Sequence, residues 1–185
     1  MAQSQQLPIV IYATLAGPVD QSMVQRVFQS CAVAINGGVK TIHLLFHSNG
    51  GIVADGIVLY NYFRNLPIDV HIYNGGSVSS IGVIAFLGPQ NRYASANATF
   101  MIHKTRFNPM TPTDAERARG MADSMKIDDV RTLEILKANL SLPEGELERY
   151  RISELPFDSQ AALACELITK ISDFVPPAGQ MVSNI

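Results

Sequence analysis

Cysteine is scarce in this chain: only Cys31 and Cys165 carry a thiol among 185 residues. Both fall among apolar residues in helical patterns, which reads as two buried free thiols in a reducing compartment, not as a disulfide frame. No Cys-x-x-Cys spacing occurs, and no metal site is expected. No Gly-x-x-x-x-Gly-Lys-Ser/Thr run occurs either, so ATP binding through a phosphate loop is excluded, and no cofactor is expected. Charged residues make up only 16%, with a net charge of −2 and a pI near 6.0. Without a basic footprint the chain is not read as a nucleic-acid binder. No run approaches the roughly 18 apolar residues that a membrane span needs. The first residues, Met1 to Gln6, are polar and uncharged, lacking the basic and apolar regions of a signal peptide. These absences lead us to expect a soluble, cytoplasmic protein.

What is present is a hydrophobic content of 47% on a chain long enough to bury a real core as one domain. Ile9 to Tyr12 reads as a first strand, and Asp20 as the cap of a helix in which Met23, Val24, Val27, Phe28 and Cys31 share a face. Asn36-Gly37-Gly38 stops that helix. Thr41 to His47 is a second strand, apolar enough to be buried on both faces. Val53, Ile57, Tyr60, Phe63 and Leu66 mark a second helical face, and Val70 to Tyr73 a third strand. Ile81 to Leu87 is a short core helix, and Arg92-Tyr93 and Thr99 to His103 are further strands. This alternation predicts an α/β fold of consecutive βαβ units. Asn108-Pro109-Met110-Thr111-Pro112 breaks the pattern. One long helix is then expected from Thr113 to Leu140, with Ala118, Met121, Met125, Val130, Leu133, Leu136 and Leu140 roughly on one stripe. It would be roughly 40 Å long at about 1.5 Å per residue. A domain of this size is itself only about that wide. Some of the stripe is therefore expected to meet another subunit.

The chemistry concentrates in Gly76-Ser77-Val78-Ser79-Ser80-Ile81-Gly82 and in Phe100-Met101-Ile102-His103. A serine at the mouth of an apolar helix can expose its hydroxyl where backbone N–H groups and the helix dipole favour negative charge. A histidine at the end of a later apolar strand is the general base such a hydroxyl needs. Turn chemistry alone explains most serines in such loops, as the neighbouring Ser77 and Ser79 illustrate. His103 is favoured as the base over His47, which abuts Ser48-Asn49-Gly50-Gly51; His43 and His71 are read as structural or surface residues. Gly50-Gly51, between a strand and a helix, is either a tight turn or a place where missing side chains let N–H groups reach a substrate carbonyl oxygen. The pattern reads as a serine hydrolase.

Ile42 to Gly56, with Ser48-Asn49-Gly50-Gly51 at its centre, resembles the Ile-x-Leu-x-x-x-Ser-Pro-Gly-Gly-x-Val-x-x-Gly segment of the Clp protease proteolytic subunit. Gly76 to Gly82 is similar to that family's Gly-x-Ala-Ala-Ser-Met-Gly, and Met101-Ile102-His103 resembles its Met-Ile-His. The resemblance runs in the same order from about Ile9 to Ile171. It implies a Clp/crotonase-like fold of repeated ββα/βαβ units: a head (about 8–107 and 150–175), a protruding handle helix region (about 108–149) and a tail (176–185). It implies a serine endopeptidase with Ser80 as nucleophile, His103 as base, and an oxyanion hole from the N–H groups of Gly51 and Ile81. It also implies peptide or unfolded-protein substrates, a homo-oligomeric ring, in the family two rings of seven subunits, and an AAA+ unfoldase as partner.

Several positions depart from the family pattern. Asn49 stands for proline, Val78-Ser79 for Ala-Ala, and Lys104-Thr105 for Gln-Pro. The family's acid precedes by four residues a Ser or Thr that begins the last helix. That alignment puts Glu154 at the acid position and Asp158 at the cap, where aspartate serves as well as serine. Glu154 is the expected orienting acid and Asp158 the alternative. Loss of that acid can cost about four powers of ten in rate, so a catalytically weak or inactive ring subunit is a second reading. A crotonase-like acyl-CoA enzyme is a third, disfavoured by the serine–histidine pair.

Overall fold

Short apolar strands and capped helices alternate as the residue pattern requires, in a computed structural model that describes residues 9–106, 114–150 and 152–185. The Asn108–Pro112 break, the start of the handle at Thr113 and the polar Met1–Gln6 stretch lie outside the described residues. β1 (Ile9–Ala16) leads to α1 (Gln21–Asn36), whose cap is Asp20: its carboxylate accepts the Met23 N–H at 2.9 Å. β2 (Val39–Ser48), α2 (Val53–Arg64), β3 (Asp69–Ser79) and α3 (Ile81–Phe86) follow. After β4 (Asn91–Ala94) and β5 (Thr99–Ile102) comes α4 (Ala115–Asn139), 25 residues long. The chain ends in α5 (Glu144–Tyr150), β6 (Leu155–Asp158), α6 (Ser159–Ala164), β7 (Lys170–Ile171) and β8 (Val182–Asn184).

Among the described residues, eight strands join one sheet in the order β6-β5-β3-β2-β1-β8, with β4 branching from β3 and carrying β7. Every pairing is parallel except β5 with β6. The region read as a tail thus holds a strand, β8, laid along the outer edge of β1.

Alternation along the strands separates two faces. Ala13, Leu15, Ile42, Leu44, Phe46 and Ile72 are buried beneath the helices. The other face is not fully buried, contrary to the expectation for the second strand. It is half-covered and carries a ring ladder. Tyr12 stacks on His43 with centroids 4.7 Å apart, His43 lies 4.7 Å from His71, and Tyr73 stacks on Tyr93 at 4.7 Å. The ladder is cross-linked: His43 Nδ1 hydrogen-bonds the Tyr73 hydroxyl at 2.9 Å and His71 Nδ1 the Tyr93 hydroxyl at 3.2 Å. Phe174 closes it edge-on. Burial lowers both imidazoles from the ordinary histidine range and raises Tyr73 to about 12.

β3 bends so that it can serve two neighbours. His71–Asn74 pair with β4, whereas Ser77–Ser79 pair with β5. Asn74, fully buried, fixes the bend by donating to the Thr99 carbonyl and accepting the Gly76 N–H, both at 2.9 Å. A second buried polar group ties β4 to the segment that follows α6. Arg92 donates to the carbonyls of Pro89, Glu166 and Leu167 at 2.8–2.9 Å.

Of the long helix only Thr132 and Leu136 are buried, against α2 and α3, with Asn139 donating to the Tyr60 hydroxyl at 3.1 Å. Ile127 and Val130 are each 61% exposed. Apolar side chains of α4 thus stay uncovered both on the stripe read from the sequence, at Val130, and off it, at Ile127.

Candidate active site

Ser80 and His103 emerge from the ends of two adjacent parallel strands. Ser79 is in register with Met101, and the Ser80 N–H donates to the Met101 carbonyl at 2.7 Å. The register puts residue 80 beside the run-out of β5, where His103 sits one residue past the strand. Both side chains line one cleft of about 90 Å³ together with Gly51, Ile81, Lys104 and Thr105; its deeper walls are Ile84, Leu136 and Tyr150. Thr132 Oγ1 and the Tyr150 hydroxyl, 3.3 Å apart, give those walls a polar point.

Ser80 is held in an unusual backbone shape, with φ 57° and ψ −133°, at the junction of β3 and α3. A side chain at such a dihedral costs on the order of 1–3 kcal/mol. A strained serine on a sharp strand-to-helix turn is how a nucleophile is presented at the end of a sheet. The loop facing it is fitted around that shape. Gly50 has φ +99°, and a Cβ there would fall 2.5 Å from Ser80 Cβ. Ser48 Oγ accepts the Gly50 N–H at 3.1 Å and folds the turn.

Val19 then fixes Gly51. It donates to the Gly50 carbonyl at 3.0 Å and accepts from the Ile52 N–H at 2.8 Å, so the parallel bridge uses the residues on either side and spares the Gly51 N–H. A Cβ at Gly51 would lie 2.1 Å from the Val19 carbonyl oxygen, which explains the glycine. Ile81, the first residue of α3, has no earlier turn to donate to. Among the described residues, neither the Gly51 nor the Ile81 N–H meets a protein acceptor. Two unengaged donors thus border Ser80.

No hydrogen bond joins Ser80 to His103 among the described residues. His103 Nδ1 instead lies 2.5 Å from the Lys104 carbonyl oxygen. Glu154 Oε1 accepts from Arg106 Nη2 at 2.7 Å. Asp158 caps α6, accepting the Ala161 N–H at 2.8 Å. The structure brings Ser80, His103, Gly51 and Ile81 into one cleft, pairs Glu154 with Arg106, which also lines that cleft, and engages Asp158 at the start of α6. His47 is exposed and outside the cleft. Sequence reading missed Val19, whose contact with Gly51 depends on sheet register, and Asp129, whose carboxylate accepts the Thr105 N–H beside His103.

Cys31 and Cys165 are buried free thiols, and burial pushes Cys31 up to about 11, so neither competes as a nucleophile. Among the described residues no three His, Cys, Asp or Glu side chains are grouped to hold a metal, and no helix is long and apolar enough to cross a membrane.

The family model described as Clp protease matches residues 7–172. ATP-dependent Clp protease proteolytic subunit 2 of Pseudomonas aeruginosa is 27% identical over 92 residues, 49% of this chain and 46% of that protein. The ATP-dependent Clp protease proteolytic subunit of Bdellovibrio bacteriovorus is 30% identical over 78 residues, 41% of this chain and 37% of that protein. The chain therefore matches less than half the length of these relatives. A solved ClpP1 mutant from Listeria monocytogenes shares the fold, with a TM-score of 0.75 over 89% of this chain and 91% of its own, at 14% identity. The chain belongs to the Clp protease family.

Proposed function

We propose that this member of the Clp protease family is a serine endopeptidase acting on peptides or unfolded protein. One observation carries the reading: Ser80 is held in a strained turn between two unengaged N–H groups, with His103 in the same cleft. In the proposed cycle Ser80 Oγ attacks the scissile carbonyl carbon while His103 takes the hydroxyl proton. The Gly51 and Ile81 N–H groups stabilise the tetrahedral oxyanion, a donor in such a hole being worth about 3 kcal/mol or more. His103 returns its proton to the leaving amine, and water releases the acyl group by the reverse sequence. The recess walled by Ile84, Leu136 and Tyr150 suits a modest apolar side chain of the substrate.

The exposed apolar residues of α4, Ile127 and Val130, support assembly into a homo-oligomeric ring of the family's kind. An AAA+ unfoldase feeding folded substrates, and a cytoplasmic setting for two unpaired buried thiols, complete the proposal. A specific observation favours a second reading, a catalytically weak ring subunit: Glu154 and Asp158 both have other partners. Hydrolysis of fluorogenic peptides by the assembled protein and by Ser80→Ala separates the two. Turnover that vanishes in the variant supports the peptidase. Equal rates in both would sink it.

A further inference from the structure

We propose that the orienting partner of His103 is the main-chain carbonyl of Lys104, and that Asp129 on α4 is the positioning residue that aims that carbonyl; this rests on the serine-peptidase reading above. The His103 Nδ1 to Lys104 O distance is 2.5 Å. A carbonyl oxygen only accepts, so Nδ1 carries the proton and Nε2 keeps the lone pair that a general base needs.

The carbonyl belongs to a segment that no strand holds, since β5 ends at Ile102. Asp129 holds it instead. Asp129 Oδ1 accepts the Thr105 N–H at 2.9 Å, and Oδ2 pairs with Lys104 Nζ at 3.1 Å. The Thr105 N–H and the Lys104 C=O are two ends of one peptide group. Because that group is planar and trans, its N–H and C=O point in opposite directions. Fixing the N–H on α4 therefore turns the carbonyl away from α4, and there it meets His103. The ion pair is partly exposed and adds little by itself; the charge-assisted hydrogen bond to Thr105 does the aiming. A displacement of α4 relative to β5 would reach the imidazole through this single peptide.

Full-length Asp129→Ala, Asp129→Asn, Thr105→Pro and Glu154→Gln are compared with wild type in peptide hydrolysis and in fluorophosphonate labelling of Ser80. Asp129→Ala should lower kcat and the labelling rate about 10- to 100-fold, the scale of a small misplacement of a reacting group. KM and the final adduct of one per chain should not change, which a partly unfolded population would not give. Asp129→Asn keeps an oxygen for the Thr105 N–H and should recover most of the rate. Thr105→Pro removes that N–H without touching Asp129 and should reproduce the loss. Glu154→Gln, which tests the rival acid, should cost less than Asp129→Ala. Wild-type rates in both Asp129→Ala and Thr105→Pro, or a fall of about four powers of ten in Glu154→Gln, would overturn the inference. Absence of any adduct on wild type would instead overturn the serine-peptidase reading itself.

Discussion

Gly50 and Ser80 compete for one small volume: a methyl group on residue 50 would stand 2.5 Å from Ser80 Cβ and 3.0 Å from its Oγ. Gly50→Ala must therefore displace the serine or the loop, and it also places a side chain at φ +99°. We expect a folded variant destabilised by about 1–3 kcal/mol, with peptide hydrolysis down about 100-fold or more. Urea unfolding and kcat/KM measured together check this. Unchanged activity would mean that the loop does not shape the serine's position.

Ser80 itself stores backbone strain, with φ 57°. Ser80→Gly and Ser80→Ala both remove the hydroxyl, but only glycine relieves the dihedral. We expect Ser80→Gly to be more stable than Ser80→Ala by about 1 kcal/mol, even after glycine's greater loss of freedom on folding. Equal urea midpoints, or a higher one for alanine, would contradict a strained turn.

Arg92 is a structural charge. It is 7% exposed and gives three hydrogen bonds to carbonyls, two of them from the Glu166–Leu167 segment. Arg92→Met fills the space but strands those acceptors, each costing about 1–3 kcal/mol when buried and unpaired. A loss of about 3 kcal/mol or more in unfolding free energy is expected. A loss below about 1 kcal/mol would mean that the segment finds other donors.

The ring ladder makes stability depend on pH. Burial lowers His43 and His71, and the neighbouring His71 lowers His43 further. Asp69 pulls His71 back upward, while burial raises the facing Tyr73 to about 12 and keeps its phenol neutral over the histidine range. The folded state thus binds fewer protons than the unfolded one. The stability is full above the unfolded histidine value, about 6.5, and is lost as pH falls through and below it. The urea midpoint should decline between pH 7.5 and 5.5, less steeply in His43→Phe. A flat profile would contradict the ladder's burial.

Local signals carried much of the fold. Asp20 announced the cap it makes, and Met23, Val27 and Cys31 formed the buried face of α1. Phe28, read onto that face, is 38% exposed and packs on Tyr62 instead. The strands ran longer than their apolar cores: the third strand was read as Val70 to Tyr73, yet β3 continues through Gly75-Gly76 to Ser79, with Asn74 satisfying the bend. The long helix α4 was legible because helical periodicity is local, although Val130, read onto its stripe, is exposed and Thr132, off that stripe, is buried. Val19 beside Gly51, the three acceptors of Arg92 and the β8 edge strand were not, because each depends on distant segments brought together by sheet register. At the site, the residue types and their order pointed to Ser80 and His103. The Lys104 peptide and Asp129 gave no signal, since a main-chain carbonyl is the same at every position.

Intact-mass spectrometry after reaction with a fluorophosphonate probe, with Ser80→Ala as control, tests the assignment of Ser80 most directly. One adduct per chain that is absent from the variant is the expected result, and it establishes an activated serine. No adduct on folded, assembled protein would contradict it and leave this chain as an inactive ring subunit.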